Sequence, residues 1–452
     1  MTEPSAPLSP GAAPAPSLDR EILRLAWPAF LALVSEPLFL LADAAVVGHL
    51  GTVPLAGLGV AGAVLQTVVG LCVFLAYGTT ASVARRIGAG DQRGALQQGF
   101  DGVWLAVGVG AVATVAGVVL AGRLVALFGT GPEVAGAATT YLRAAFLGVV
   151  PMLVVLASTG ILRGLQDTRT PLVVAVAGNA LNVVLNVTLV YGVGLGLLGS
   201  AVGSVLAQAL SAAALTVVVV RAAARAGASI RPDLPGVLRA AHAGVALVVR
   251  TLTLRASLLL MTYGAATAGT TAVATHQLAT TIWTFLAFAL DAVAIAAQAI
   301  TGRGLGAGDL TGTRSTAARM VRWGLLSGVV TGVLLAALAP VLGPLFTGDH
   351  GVRSMLVPVL LVAAAFQPVA GVVFVLDGVL IGAGDGRYLA WGGVAVLAVF
   401  APAAYVSLHL AGGTATAALV WLWVAFGVAF MGGRAVVLVR RVRGTAWQVA
   451  GG

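Results

Sequence analysis

Arg85-Arg86-Ile87-Gly88-Ala89-Gly90-Asp91-Gln92-Arg93-Gly94 returns 218 residues later as Arg303-Gly304-Leu305-Gly306-Ala307-Gly308-Asp309-Leu310-Thr311-Gly312. The same shift carries Gly160, Leu162, Gly164, Asp167 and Arg169 onto Gly378, Leu380, Gly382, Asp385 and Arg387. It also carries Gly51-Thr52 onto Gly269-Thr270 and Leu127-Phe128 onto Leu345-Phe346. One ungapped offset that serves four segments marks a duplicated unit.

The solvent of this unit follows from composition. The chain has 452 residues, 59% of them hydrophobic and 9% charged. A soluble domain carries about 25% charged residues. Apolar runs long enough to cross a bilayer recur throughout and do not alternate, which excludes a transmembrane β-barrel and predicts an all-α polytopic membrane protein. Twelve spans are expected, at 27–48, 57–82, 100–127, 138–162, 171–192, 200–220, 246–267, 273–300, 320–343, 355–381, 389–410 and 415–438. Each repeat then holds six spans, an even number, so both halves face the same way. The expected architecture is two six-helix lobes, 20–220 and 246–440, related by a pseudo-two-fold along the membrane normal. The arginine-rich segment 221–245 is the expected linker. The Pro-rich residues 1–19 read as a disordered tail, and 441–452 as a second tail.

All 25 basic residues are arginine and the net charge is +10. They are spread over short alternate loops, with Arg353 the clear exception, so they set orientation and are not a nucleic-acid patch. Both termini are expected in the cytoplasm of a multi-pass plasma-membrane protein. Cys72 stands alone in an apolar segment and is a packing residue. The five histidines are scattered, which argues against a metal site. The Gly-Ala-Gly-Asp segments lack the Gly-Lys-Ser/Thr ending of a nucleotide loop. They read as tight turns whose Asp91 and Asp309 cap helices, with Arg85, Arg303, Asp167, Arg169, Asp385 and Arg387 in the matching cytoplasmic turns.

Four carboxylates fall inside spans, where each costs about 2.5–3.5 kcal/mol on insertion scales. Glu36 and Asp43 are seven residues apart on the first span, expected on one face beside the helix-bending Pro28 and Pro37. Asp43 lies ~24 Å above the start of its span and Asn186 ~22 Å above the start of the fifth. Asn179 and Asn182 share that helix face, and Ser204 enters near the same level from the sixth span. In the second repeat these positions are Met261 for Asp43, Leu397, Phe400 and Ala404 for the three asparagines, and Leu422 for Ser204. The polar set is therefore confined to one half. Asp291 shares a depth with Arg255, and Asp377 a shallower level with Arg250; two ion pairs tying the second lobe together are expected.

Glu36-Pro37-x5-Asp43-x4-Gly48-His49-Leu50-Gly51 with Leu55-Ala56-Gly57 resembles the multidrug and toxic compound extrusion (MATE) family, its DinF branch in particular. Ile161 to Thr168, Ala274-Thr275-His276-Gln277, Asp291 to Gln298, and Asp377-Gly378 with Gly382 to Asp385 resemble it as well. The resemblance implies a V-shaped twelve-helix fold and antiport of an ion against amphiphilic or cationic organic compounds. It places the proton-coupling carboxylate at Asp43. Where archaeal members carry a second Asp this chain has Asn186, and the tenth-span acidic position of the sodium-coupled branch falls on Val369. The expectation is a monomeric exporter of small organic compounds, not an enzyme. It needs no cofactor beyond protons, with sodium as the alternative ion. A lipid-linked-precursor flippase is the alternative within the superfamily; it calls for arginines facing the cleft, for which Arg255 is the one candidate.

Overall fold

The computed structural model describes residues 18–409 and 413–451. The tail expected over 1–19 lies outside them except for Leu18 and Asp19, which already belong to a helix. Helices α1 (Leu18–Gly48), α2 (Thr52–Leu71), α3 (Phe74–Gly88), α4 (Gln92–Ala126), α5 (Pro132–Phe146), α6 (Val149–Gly164), α7 (Arg169–Val187) and α8 (Gly196–Arg225) form the first repeat. The second comprises α9 (Leu234–Thr267), α10 (Thr270–Gly306), α11 (Leu310–Phe346), α12 (His350–Gly382), α13 (Gly386–His409), α14 (Ala415–Ala425) and α15 (Gly433–Arg443). Eleven helical stretches are long and apolar enough to span a membrane, and twelve if the bent pair α5–α6 counts as one. That pair turns by 49°. Pro151 enters the first turn of α6 without an N–H to return to α5, so the helix breaks there.

The linker is shorter than 221–245. Helix α8 runs to Arg225 and α9 begins at Leu234, leaving only residues 226–233 outside helix. A helix of 34 residues such as α9 is longer than the ~30 Å hydrocarbon layer. Arginines that read as loop therefore sit on helix ends that project past the apolar zone.

The duplication is visible in backbone detail. Asp91 caps α4 by accepting from the Gly94 N–H at 2.7 Å, and Asp309 caps α11 by accepting from Gly312 at 2.8 Å. The Gly94 amide and Arg86 hold the Asp91 carboxyl below its usual range. Gly90 and Gly308 both take the left-handed conformation, φ 77° and 74°. Within each lobe the matching glycines let helices touch. Gly160 lies against the Ala76 carbonyl and Gly164 against that of Thr80; Gly378 lies against Ala294 and Gly382 against Gln298.

Between the lobes, the Gly88 backbone abuts the Arg303 carbonyl and Gly306 abuts that of Arg85. Each of these residues is the other's repeat equivalent, so the contact is self-complementary about the pseudo-two-fold. Around it, Gln298 Nε2 donates to the Tyr77 carbonyl at 2.6 Å and Arg303 to Gln166 Oε1 at 2.6 Å. Arg85 donates to Ala383 at 2.7 Å and to Val449 at 2.9 Å. Helix α1 crosses between the lobes. Its start, with Ile22, Leu25, Ala26 and Ala29, lies in the core of the second lobe, fixed by Asp19 to Arg319 and Trp323. Its far half packs on α7. Every hydrogen bond between the lobes, among the described residues, lies toward the end carrying the arginine-rich turns. At the other end no hydrogen bond closes the cleft between the lobes, among the described residues.

A side chain at Gly88 has no room while this end is shut. Spin labels on cysteines at the exposed Ala89 and Ala307, in a Cys72→Ala background, should give a short distance in the otherwise native chain. Gly88→Val should shift the distribution to longer distances; an unchanged distribution would show that the glycine contact does not set closure.

Candidate functional site

The first site is a polar cluster between α1, α7 and α8. Asp43 is 5% exposed. Its Oδ1 accepts from Asn186 Nδ2 and from the Ser200 hydroxyl, both at 2.7 Å. One turn lower, Asn182 donates to Ser204 Oγ at 3.0 Å. Asn179 donates to the Ser35 carbonyl at 3.1 Å. The Tyr141 hydroxyl of α5 lies beside Ser200, Ser204 and Asp43. Spacing of three and four residues on α7 stacks the three asparagines on the face that meets α1. Gly203 makes room for Asn186, since a Cβ there would collide with its amide oxygen. Just past Asn186, α7 widens into a π-helical turn over Thr188–Gly192, which carries Tyr191 to the Val46 carbonyl at 2.5 Å. Such turns recur at functional sites.

The amide oxygens of Asn182 and Asn186 are buried without a donor. An ionised Asp43 offers only acceptors, whereas a protonated one must find an acceptor for its new O–H. The cluster holds spare acceptors next to it, so either protonation state can be accommodated.

Asn179, Asn182, Asn186 and Ser204 stand where the sequence places them. Ser200, Tyr141 and Tyr191 were not anticipated, although Ser200 is one turn before Ser204 and shares its face. Glu36 does not join the cluster. It is exposed and makes no hydrogen bond among the described residues, although protein surrounds it; it lines the cleft. Pro28 and Pro37 lie within a helix that runs unbroken from Leu18 to Gly48.

The second site is at the floor of the cleft. Arg250 on α9 forms an ion pair with Asp377 on α12, its Nε at 3.2 Å from Oδ1. Arg434 on α15 shares that carboxylate at 3.3 Å. The expected Arg255–Asp291 pair is absent among the described residues. Arg255 is exposed, and its guanidinium instead reaches across to Gly70 of α2 in the first lobe. The charges near Asp291 are Arg163 of α6 and Arg250, with the Tyr77 phenol of α3 close by. Depth alone could not separate Arg255 from Arg250, which point to different sides of α9. Arg163 and Arg434 sit at span ends, where an arginine reads as orientation signal and not as part of a site. In the cytoplasmic turns, Asp167 accepts from the Arg169 and Thr170 amides at 3.0 Å, and Asp385 from Arg441 at 2.6 Å, while Arg387 reaches His242 at 3.3 Å. Among the described residues no three His, Cys, Asp or Glu side chains gather as a metal site.

This fold and an off-axis carboxylate cluster define a polytopic membrane transporter. A profile of the MatE family matches residues 28–188 and 246–406, two stretches displaced by the same 218 residues as the repeat. The chain belongs to that family. It is 32% identical over 398 residues to Protein DETOXIFICATION 44, chloroplastic, of Arabidopsis thaliana, covering 84% of this chain and 75% of the relative. To DNA damage-inducible protein F of Escherichia coli it is 29% identical over 65% of each chain. A crystal structure of a Vibrio cholerae MATE transporter mutant superposes with TM-score 0.87 at 21% identity, over 96% of this chain and 98% of that one.

If Ser200 and Asn186 serve the Asp43 carboxylate, their contributions must couple. A double-mutant cycle of Asp43→Asn with Ser200→Ala, read by unfolding in detergent, should give a coupling of about 1–2 kcal/mol. Additive effects would mean that the 2.7 Å contact carries no energy.

Proposed function

We propose that this chain is a proton-coupled antiporter of the plasma membrane that exports amphiphilic organic compounds, cations among them. The observation that carries the reading is the buried Asp43 carboxylate, held by Asn186 and Ser200 in one lobe while its repeat equivalent is Met261. A duplicated scaffold that keeps an ionisable group in only one half has located its ion chemistry there. The positive-inside rule puts the arginine-rich end in the cytoplasm, and with the inter-lobe hydrogen bonds at that end we read this state as outward-facing.

In this state a proton from outside reaches Asp43. Protonation removes its charge and turns one acceptor oxygen into a donor. The hydrogen bonds from Asn186 and Ser200 to the carboxylate weaken, and the bond to the spare amide oxygens replaces them. Helix α1 is tied to α7 through these bonds and through Asn179 to Ser35, so it shifts on α7. Its other end lies in the second lobe, and the shift is transmitted there. The rearrangement lowers affinity for cargo, which leaves outward. Proton return to the cytoplasm resets the lobes, each proton supplying about 2.3 kcal/mol per 100 mV.

The test is efflux of a fluorescent cation from everted vesicles under separately imposed proton and sodium gradients. Wild type should respond to the proton gradient alone, and Asp43→Asn should lose that response, while Glu36→Gln should retain it in part. Transport that persists in Asp43→Asn contradicts the assignment; a response to sodium alone shifts the coupling ion.

A further inference from the structure

The segment that follows α15 does not trail away from the molecule. Residues 444–446 and 449–451 are exposed, yet Trp447 between them is 1% exposed. Its indole lies in the apolar core of the second lobe, and its Nε1 donates to the Val442 and Gly444 carbonyls at 3.1 Å each. A buried indole whose N–H is satisfied is a strong anchor for a short segment. Further on, the Gly451 amide donates to the Leu305 carbonyl of α10 at 3.3 Å. The segment is thus seated on the second lobe, and it passes beside the seam where Gly306 abuts the Arg85 carbonyl.

From the first lobe one side chain grips it. Arg85 donates from Nη2 to the Val449 carbonyl at 2.9 Å and to that of Gly451 at 2.7 Å, and from Nε to Gly451 at 3.1 Å. Hydrogen bonds from a charged donor are about twice as strong as neutral ones. Its Nη1 also holds Ala383, the C-cap of α12. The repeat-equivalent Arg303 reaches across the same seam but makes a single hydrogen bond, to Gln166, among the described residues. The stretch equivalent to 444–451 is the linker 226–233, where Ile230 accepts from Trp104 of the first lobe at 2.9 Å. The second repeat has therefore added a tie across the seam that the first lacks.

We propose that residues 444–451 are a latch on the arginine-rich end: Trp447 fixes the strap to the second lobe, Arg85 clasps it from the first, and the lobes part only when Arg85 lets go. The clasped groups are backbone carbonyls, so the grip depends on where the strap lies and not on its side chains. That position depends on Trp447. An exposed strap held by one indole is a low-stability element that detaches without unfolding either lobe. The latch biases the chain toward the state seen here and slows opening at this end. This holds whichever ion drives transport and whatever compound is carried.

Spin labels on cysteines at the exposed, repeat-equivalent Arg93 and Thr311, in a Cys72→Ala background, report the seam from outside the strap. In the full chain in detergent, Trp447→Ala and Arg85→Gln should each raise the ratio of long to short distances about tenfold, the scale of one charged hydrogen bond. Trp447→Phe should keep most of the closure. Both changes act through the strap, so the double variant should match Arg85→Gln alone. If Trp447→Ala does not fold, a label at the exposed Val449 decides: its spectrum should be that of an immobile side chain, and mobile in Arg85→Gln. Unchanged distances in Arg85→Gln or in a folded Trp447→Ala would overturn the latch and leave the efflux reading intact. So would additive shifts, or a Val449 label equally mobile with and without Arg85.

Discussion

Everything in this molecule depends on a backbone contact at the pseudo-two-fold axis. Gly88 and Gly306 each press on the carbonyl of the other's neighbouring arginine, and no side chain fits between them. Because the contact is self-complementary, the two lobes can meet there without a dedicated interface on either. Few side chains need to be broken for the lobes to part: Gln298, Arg303 and Arg85 supply the flanking hydrogen bonds.

Against that symmetry, the chemistry is one-sided. Desolvating Asp43 is costly, and the first lobe offsets the cost with Asn186 and Ser200. The second lobe places Met261, Ala404 and Phe400 at the matching positions, all buried in its apolar core. That lobe spends its own ionisable residues differently, gathering Arg250, Arg434 and Asp377 at the floor. Helix α1 joins the two regimes, carrying Asp43 at one end and a second-lobe packing face at the other. A change of charge on Asp43 therefore acts on a rod that both lobes hold.

Much of this was legible in the sequence, and the reasons are specific. The repeat offset fixed the topology because glycines at helix contacts tolerate no drift, so Gly160 and Gly378 stayed aligned. Asn179, Asn182 and Asn186 were readable because helical spacing puts them on one face. Ser200 and Tyr141 were not, since hydroxyls are common in membrane helices and carry no charge to mark them. The floor was misread at Arg255 because rise per residue gives depth but not azimuth. Arg163 was hidden by its place next to a turn, where an arginine ordinarily signals orientation. Glu36 shows the reverse error: seven residues from Asp43, it nevertheless faces the cleft, with Pro37 between them.

The central claim is that Asp43 exchanges its proton as cargo binds. It is tested most directly by the proton released when cargo is added to the purified chain in weakly buffered detergent with a pH-indicator dye. The account predicts release in wild type that follows cargo saturation and disappears in Asp43→Asn while cargo still binds. Undiminished release from Asp43→Asn would contradict it.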